Sequence, residues 1–176
     1  MSILRGVITA LLTPFDKREE ILEESLRRIV EFQIQRGVSG FLVCGTAGQG
    51  PLMTLAQRKR ALEIVVDQAK ERAPVIAQVG LPDTQSTIEL ARHAQDHDAT
   101  AVACVTPYYY KLDRIGIIGH YEAIASSISI PVFVYNIPRL TGFNVDVTML
   151  KQLALVNGIV GIKDSSRDLT QLIEFR

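Results

Sequence analysis

The 176-residue chain has no tryptophan, two cysteines and no excess of charge of either sign. Lys+Arg and Asp+Glu both number 19. That balance excludes the basic stripe of a nucleic-acid binder and the charged block of an interaction tail. No apolar run approaches the roughly 20 residues of a membrane span. The opening Met1-Ser-Ile-Leu-Arg5-Gly lacks the apolar core of a signal peptide. The expectation is a cytoplasmic protein with no nucleic-acid or membrane partner. Cys44 and Cys104 show neither CxxC nor metal-ligand spacing. They read as small, buried, reduced thiols. The missing tryptophan excludes nothing. What is present, 47% hydrophobic and 22% charged residues, is ordinary for a globular protein.

Two periodicities alternate along the chain. Short apolar runs occur at 6–12, 40–44, 75–79, 101–105, 132–135 and 159–162. Helical spacing fills the intervals 22–36, 55–72, 84–98, 115–127 and 145–156, and a last helix begins near Asp168. Thr54 and Thr84 are candidate N-caps and Gly37 a candidate C-cap. Such β-α alternation predicts a parallel sheet with right-handed crossovers. The runs are apolar throughout, as in strands covered on both faces. Six units fit a parallel (β/α)8 TIM barrel truncated after about six β/α units, since the whole barrel takes about 250 residues. The expected domain is a single barrel over 1–176, incomplete at its C-terminal end. An open doubly wound sheet is the other fold that six strands could build.

The unusual residues follow the strands. Thr13-Pro14, Gly45-Thr46-Ala47-Gly48-Gln49-Gly50-Pro51, Gly80, Thr106-Pro107-Tyr108-Tyr109-Tyr110-Lys111, Tyr135-Asn136-Ile137-Pro138 and Lys163 each close one apolar run. Parallel barrels build their active sites at that end. The Gly45–Gly50 loop could cradle an anion such as a carboxylate on its backbone N–H groups, or could be a tight turn that needs glycine dihedrals. Tyr135 could pass protons to a bound substrate, or could pack in the core with its hydroxyl satisfied. The three adjacent tyrosines cannot all point inward.

Lys163 closes Gly158-Ile-Val-Gly-Ile-Lys163. The run before it reads as a fully buried strand. At the mouth of such a strand an amine is partly desolvated, which favours the neutral form that attacks ketones. The bland alternative is a lysine that snorkels to the surface. His93 and His97 have the i,i+4 spacing of metal ligands, but they fall on the polar part of a helix and read as a solvated face. No metal site and no cofactor are expected, which disfavours a metal-dependent aldolase.

Gly45-Thr46-Ala47-Gly48, Thr106-Pro107-Tyr108-Tyr109, Tyr135-Asn136-Ile137-Pro138 and Gly161-Ile162-Lys163-Asp164 occur in the order and spacing of one known family. From Gly6 onward the chain resembles the dihydrodipicolinate synthase / N-acetylneuraminate lyase family of Schiff-base pyruvate aldolases. The resemblance implies a barrel, a homo-oligomer (tetramer or dimer), and imine chemistry on pyruvate. It implies Lys163 as the imine-forming lysine and Tyr135 as general acid/base. Thr46 and Tyr109 resemble the proton-relay residues, Tyr109 reaching a neighbouring subunit's site. Gly45, Thr46, Ala47 and Gly48 match the loop whose backbone holds the pyruvate carboxylate.

Three departures bear on the substrate. Ala47 stands where the family often has a second threonine, and Gln49 where a glutamate is common. The Gly48-Gln49-Gly50-Pro51 form is closer to 2-keto-3-deoxygluconate aldolases. Leu140 stands where the synthases place an arginine, with Arg139 one residue earlier. The expected activity is class I cleavage or formation of a C–C bond on a 2-keto-3-deoxy sugar acid. The alternative is 4-hydroxy-tetrahydrodipicolinate synthase, joining pyruvate to aspartate semialdehyde. A third possibility is an inactive fragment or non-catalytic relative. If 176 residues stand alone, exposed strand edges make poor solubility or inactivity the expectation.

Overall fold

The computed structural model describes residues 4–175. The signal-peptide reading therefore falls partly outside the described residues, as does Arg176. The chain divides into two compact units, Met1–Gln78 with His93–Ala101, and Val79–Arg92 with Val102–Arg176.

The first unit runs β1 (Ile8–Ala10), α1 (Glu23–Gln35), β2 (Gly40–Val43), a 3-10 turn (Gly50–Leu52), α2 (Leu55–Ala69) and β3 (Val75–Gln78). It also holds the end of α3 (Thr84–Asp96). The strands pair in parallel, Thr9 with Phe41 and Phe41 with Val75. Every residue of β2 and β3 is buried, which explains their unbroken apolar runs. Thr54 starts α2 through a reciprocal box. Its hydroxyl accepts from the Gln57 N–H at 3.2 Å, and Gln57 Oε1 accepts from the Thr54 N–H at 2.9 Å. The helix then buries Ala61, Leu62, Ile64, Val65 and Ala69. Each of its larger aliphatic side chains contributes about 1.5–3 kcal/mol. Gly37 leaves α1 at φ +79°, as a left-handed C-terminal stop does.

The second unit runs β4 (Ala101–Val105), α4 (Arg114–Ser126), β5 (Val132–Asn136), the short α5 (Pro138–Thr141), α6 (Val147–Leu153), β6 (Ile159–Asp164) and α7 (Leu169–Glu174). Asp113, Asp146 and Asp168 each cap the helix that follows, their carboxylates accepting from Gly116, Met149 and Gln171. β4 pairs with β5 and β5 with β6, all parallel. The alternation and parallel pairing are those of six β/α units of a TIM barrel.

Four expectations need correction. Asp83 rather than Thr84 caps α3, since its carboxylate accepts from the Ser86 N–H at 2.7 Å. The shorter hydroxyl is simply one residue too late. The helix predicted over 145–156 is only Val147–Leu153, because Asp146 caps it and the chain turns after Leu153. The short α5, which no helical spacing predicted, starts at Pro138, the last residue of the Tyr135 motif. β6 is half-buried rather than fully buried, with Val160 exposed. Its pairing register slips beside Val132, so that Val132 faces Ile159 and Phe133 faces Gly161. Val160 is left out of the ladder and turns to solvent.

Candidate active site

β5 and β6 bring two of the expected residues together. Their register places Tyr135 opposite Lys163 and Asn136 opposite Asp164. Lys163 Nζ lies 3.5 Å from the centroid of the Tyr135 ring and donates to Ser165 Oγ at 3.0 Å. Tyr135 is 4% exposed and Lys163 is half-buried. Val105 and Ile137 pack with Tyr135, and Tyr108 closes over that cluster. The amine therefore rests on an aromatic face beside an apolar wall. An aromatic face of this kind attracts a cation placed over it.

Beneath this pair lies a polar network that sequence reasoning missed. The Asn136 amide donates to Asp164 Oδ1 at 2.8 Å and to Asn144 Oδ1 at 3.0 Å. Its carbonyl oxygen accepts from the Val145 N–H at 3.0 Å. Asn144 donates to Gln171 Oε1 at 2.7 Å. Asp164 Oδ2 accepts from the Ser166 hydroxyl at 2.6 Å. Asn136 and Asp164 are the residues directly after Tyr135 and Lys163. On parallel strands in register, successive side chains face opposite sides. Tyr135 and Lys163 thus face one side and the polar residues that follow them the other. The signal was available in the repeated form, a candidate site residue followed by a polar one at both strand ends.

The three tyrosines diverge. Tyr108 is half-buried, whereas Tyr109 is 86% exposed, at φ +77°, with its ring edge-on to Tyr110 at 5.0 Å. Tyr109 is therefore not packed into the Tyr135 cluster, and Tyr108, which sequence reasoning left out, is. Arg139 lies on α5 and is exposed, as is Leu140.

In the first unit, the Gly45–Gly50 loop follows β2. Thr46, Ala47 and Gln49 are exposed; Gly45, Gly48 and Gly50 are buried. The Gln49 and Gly50 N–H groups donate to the carbonyls of Thr46 and Gly45. Gly48 and Gly50 are required, but not for their dihedrals. The left-handed residues are Cys44 at φ +57° and Gln49 at φ +60°. A Cβ on Gly50 would lie 1.8 Å from the Cys44 carbonyl oxygen, and one on Gly48 would lie 2.6 Å from that of Leu11. Close packing of backbone on backbone is what selects glycine here. Under the loop, the buried Cys44 thiol is pushed up to about 11 by loss of solvent and donates to the Arg58 carbonyl. The buried Arg58 guanidinium donates to the Gln78 carbonyl. Both cysteines are buried and unbridged. Among the described residues, the side chains with metal-ligand grouping are Glu63 on α2, His93 on α3 and His97 just after it, not at a strand end. No helix among the described residues is long and apolar enough to cross a membrane.

Residues 3–176 match the Dihydrodipicolinate synthetase family. A 4-hydroxy-tetrahydrodipicolinate synthase of Clostridium perfringens is 39% identical over 170 residues, which is 97% of this chain and 58% of the relative. A dihydrodipicolinate synthase from Aquifex aeolicus superposes with a TM-score of 0.93 at 33% identity, over 97% of this chain and 58% of that one. A variant of Sulfolobus solfataricus 2-keto-3-deoxygluconate aldolase superposes with a TM-score of 0.89 at 27% identity, over 97% and 57%. The chain thus spans under three fifths of the proteins it matches, and these likenesses select the barrel over the open doubly wound sheet. On motif, extent and fold alike, the chain belongs to the dihydrodipicolinate synthetase family.

Proposed function

We propose that the protein is a Schiff-base aldolase acting through Lys163 on a 2-keto acid. The observation that carries this is Lys163 Nζ seated over the Tyr135 ring on paired strand ends. The amine attacks the C2 ketone, and loss of water gives a protonated imine that the ring face stabilises. Tyr135 removes the proton of the C4 hydroxyl, the C3–C4 bond breaks, and its electrons enter the imine to give an enamine. An aldehyde leaves. Protonation of the enamine at C3 and hydrolysis release pyruvate and free the lysine. Thr46 and Tyr109 complete the proton relay in this reading, and the Gly45-Thr46-Ala47-Gly48 backbone takes the substrate carboxylate. The exposure of Tyr109 suits a residue that serves a neighbouring subunit, and with it a homo-oligomer built on a single barrel domain.

For the aldehyde, Ala47, the Gly48-Gln49-Gly50-Pro51 turn and Leu140 favour a 2-keto-3-deoxy sugar acid. A second reading, condensation of pyruvate with aspartate semialdehyde, is favoured by the name of the 39% identical relative. Borohydride with pyruvate tests the shared chemistry. The expected result is one covalent adduct per chain, absent in Lys163→Ala. An adduct that persists in that variant sinks the assignment. Offering glyceraldehyde and aspartate semialdehyde in parallel separates the two readings, and faster turnover of the semialdehyde overturns the sugar-acid choice.

A further inference from the structure

One cluster outside the strand ends joins side chains of metal-binding type, all within the first unit. Glu63 lies on α2, His93 in the last turn of α3, and His97 just beyond it. The two imidazoles stack with centroids 4.0 Å apart. His93 Nε2 lies 3.1 Å from Glu63 Oε1, and His97 Nε2 lies 3.9 Å from the same oxygen. One donor atom from each residue falls within 4.8 Å of the other two.

The tautomer of His97 is set by its neighbour. Its Nδ1 lies 3.0 Å from the His93 carbonyl, which can only accept, so Nδ1 carries the proton and Nε2 keeps its lone pair. A neutral imidazole anchored at one nitrogen by a carbonyl and presenting the other is the usual state of a metal-ligating histidine. His93 Nδ1 is buried with no hydrogen-bond partner, and Nε2 donates to Glu63 Oε1, so binding an ion at Nε2 requires the ring to change tautomer, Nδ1 taking the proton. Glu63 Oε2 is held by Arg60 at 3.3 Å, which leaves Oε1 facing the imidazoles. Glu63 and His97 line an open cleft of about 480 Å³, so an ion can reach them from solvent.

We propose that Glu63, His93 and His97 form a binding site for a divalent first-row transition metal of the zinc or copper type, tying α2 to the end of α3. Two imidazole nitrogens and one carboxylate oxygen suit these ions over magnesium or calcium. Metal–ligand bonds of about 2.0–2.2 Å require the donors to draw closer than they stand. His97 is the mobile partner, since its side chain is 44% exposed. Water fills the remaining positions. The ligands lie on α2, on α3 and in the turn that follows it, so the ion acts on stability and leaves the lysine chemistry untouched.

Titration of the whole chain with Zn²⁺, and separately with Cu²⁺, tests the site by calorimetry, thermal melting and, for copper, electron paramagnetic resonance. The expected result is one ion per chain, a raised melting temperature and a two-nitrogen copper spectrum. His97→Gln and Glu63→Gln should each weaken binding by about tenfold or more. They should also erase the melting shift while leaving the ion-free circular dichroism unchanged. Millimolar Mg²⁺ should raise nothing. Absence of saturable binding overturns the proposal. So does an affinity that survives both substitutions, which would move the ion to a thiol or to His120. His97 is exposed, so its variant keeps the test readable even if His93→Gln unfolds.

Discussion

Two polar networks are built on opposite terms. On α1 and α2 the network is charged and open. Arg27 pairs with Glu23 and Asp67, Arg60 with Glu23 and Glu63, and Arg72 with Glu31. These arginine bonds hold Glu31 down to about 2 and lower Glu23 and Asp67 as well. Beside β5 and β6 the network is largely neutral and centred on the fully buried Asn136, with Gln171 buried, Asp164 half-buried and Asn144 exposed at its edge. The first has more and shorter contacts, yet water can replace every one of them at little cost. At Asn136, Gln171 and the Val145 N–H the second has no such substitute, because a buried donor or acceptor that loses its partner keeps its full desolvation cost. The network that fixes geometry is the one without charge pairs on display.

The largest effect is therefore expected at Asn136. Asn136→Ala strands the buried Val145 N–H, at about 1–3 kcal/mol, and removes a charge-assisted bond from the half-buried Asp164, at about 1.5 kcal/mol, costing about 3–4 kcal/mol together, while the exposed Asn144 can turn to water. Denaturant unfolding measures this. The same variant should slow imine trapping at Lys163 by about tenfold or more, since small misplacements of reacting groups are costly. A loss of stability below about 1 kcal/mol would mean that the strand ladder alone aligns Tyr135 with Lys163, and that the two networks are alike after all.

The site's legibility in sequence followed the same division. The strands, the Thr54 cap and the Tyr135–Lys163 pairing were readable, because apolar runs and strand-end placement are local properties. Asn144 and Gln171 were not. Each is an ordinary polar residue until two strands and two loops bring it to Asn136. The Gly48 and Gly50 requirement was readable as glycine, with its cause left open between an anion cradle and a turn that needs glycine dihedrals. Only the folded chain shows that backbone crowding against Leu11 and Cys44, not a left-handed turn, excludes a side chain. Glu63 was missed as a partner of the histidine pair because it lies 30 residues from His93.

A buried titratable group sharpens the contrast. His120 faces Thr84 Oγ1 at 2.9 Å and Cys104 Sγ at 3.6 Å, and burial pushes its pKa down from 6.5 to about 4, against a smaller upward pull from Asp83. Between those values the unfolded chain binds a proton that the native chain refuses, so stability falls as pH drops from 6.5 toward 4. The loss amounts to about 3 kcal/mol. His120→Gln should flatten that slope in denaturant titrations taken across this window. An unchanged slope would assign the acid sensitivity to other groups.

The smallest effect is expected where the contacts are most numerous. Arg27→Met removes two ion pairs, to Glu23 and Asp67, and keeps much of the apolar stem that lies along the helix. The melting temperature should fall by roughly 2 °C or less. Salt should shrink even that, since the Debye length near 0.1 M is about 10 Å and the carboxylates are exposed. The pH dependence has the opposite sign to that of His120 in its cause, though not in its direction. The lowered pKa values of Glu23 and Asp67 give stability that is present above the ordinary carboxylate range. It is lost as pH falls through their lowered values. Parent and variant should therefore converge in acid. A large loss that persists in high salt would show that Arg27 acts through packing rather than charge, and would erase the distinction between the open network and the one centred on Asn136.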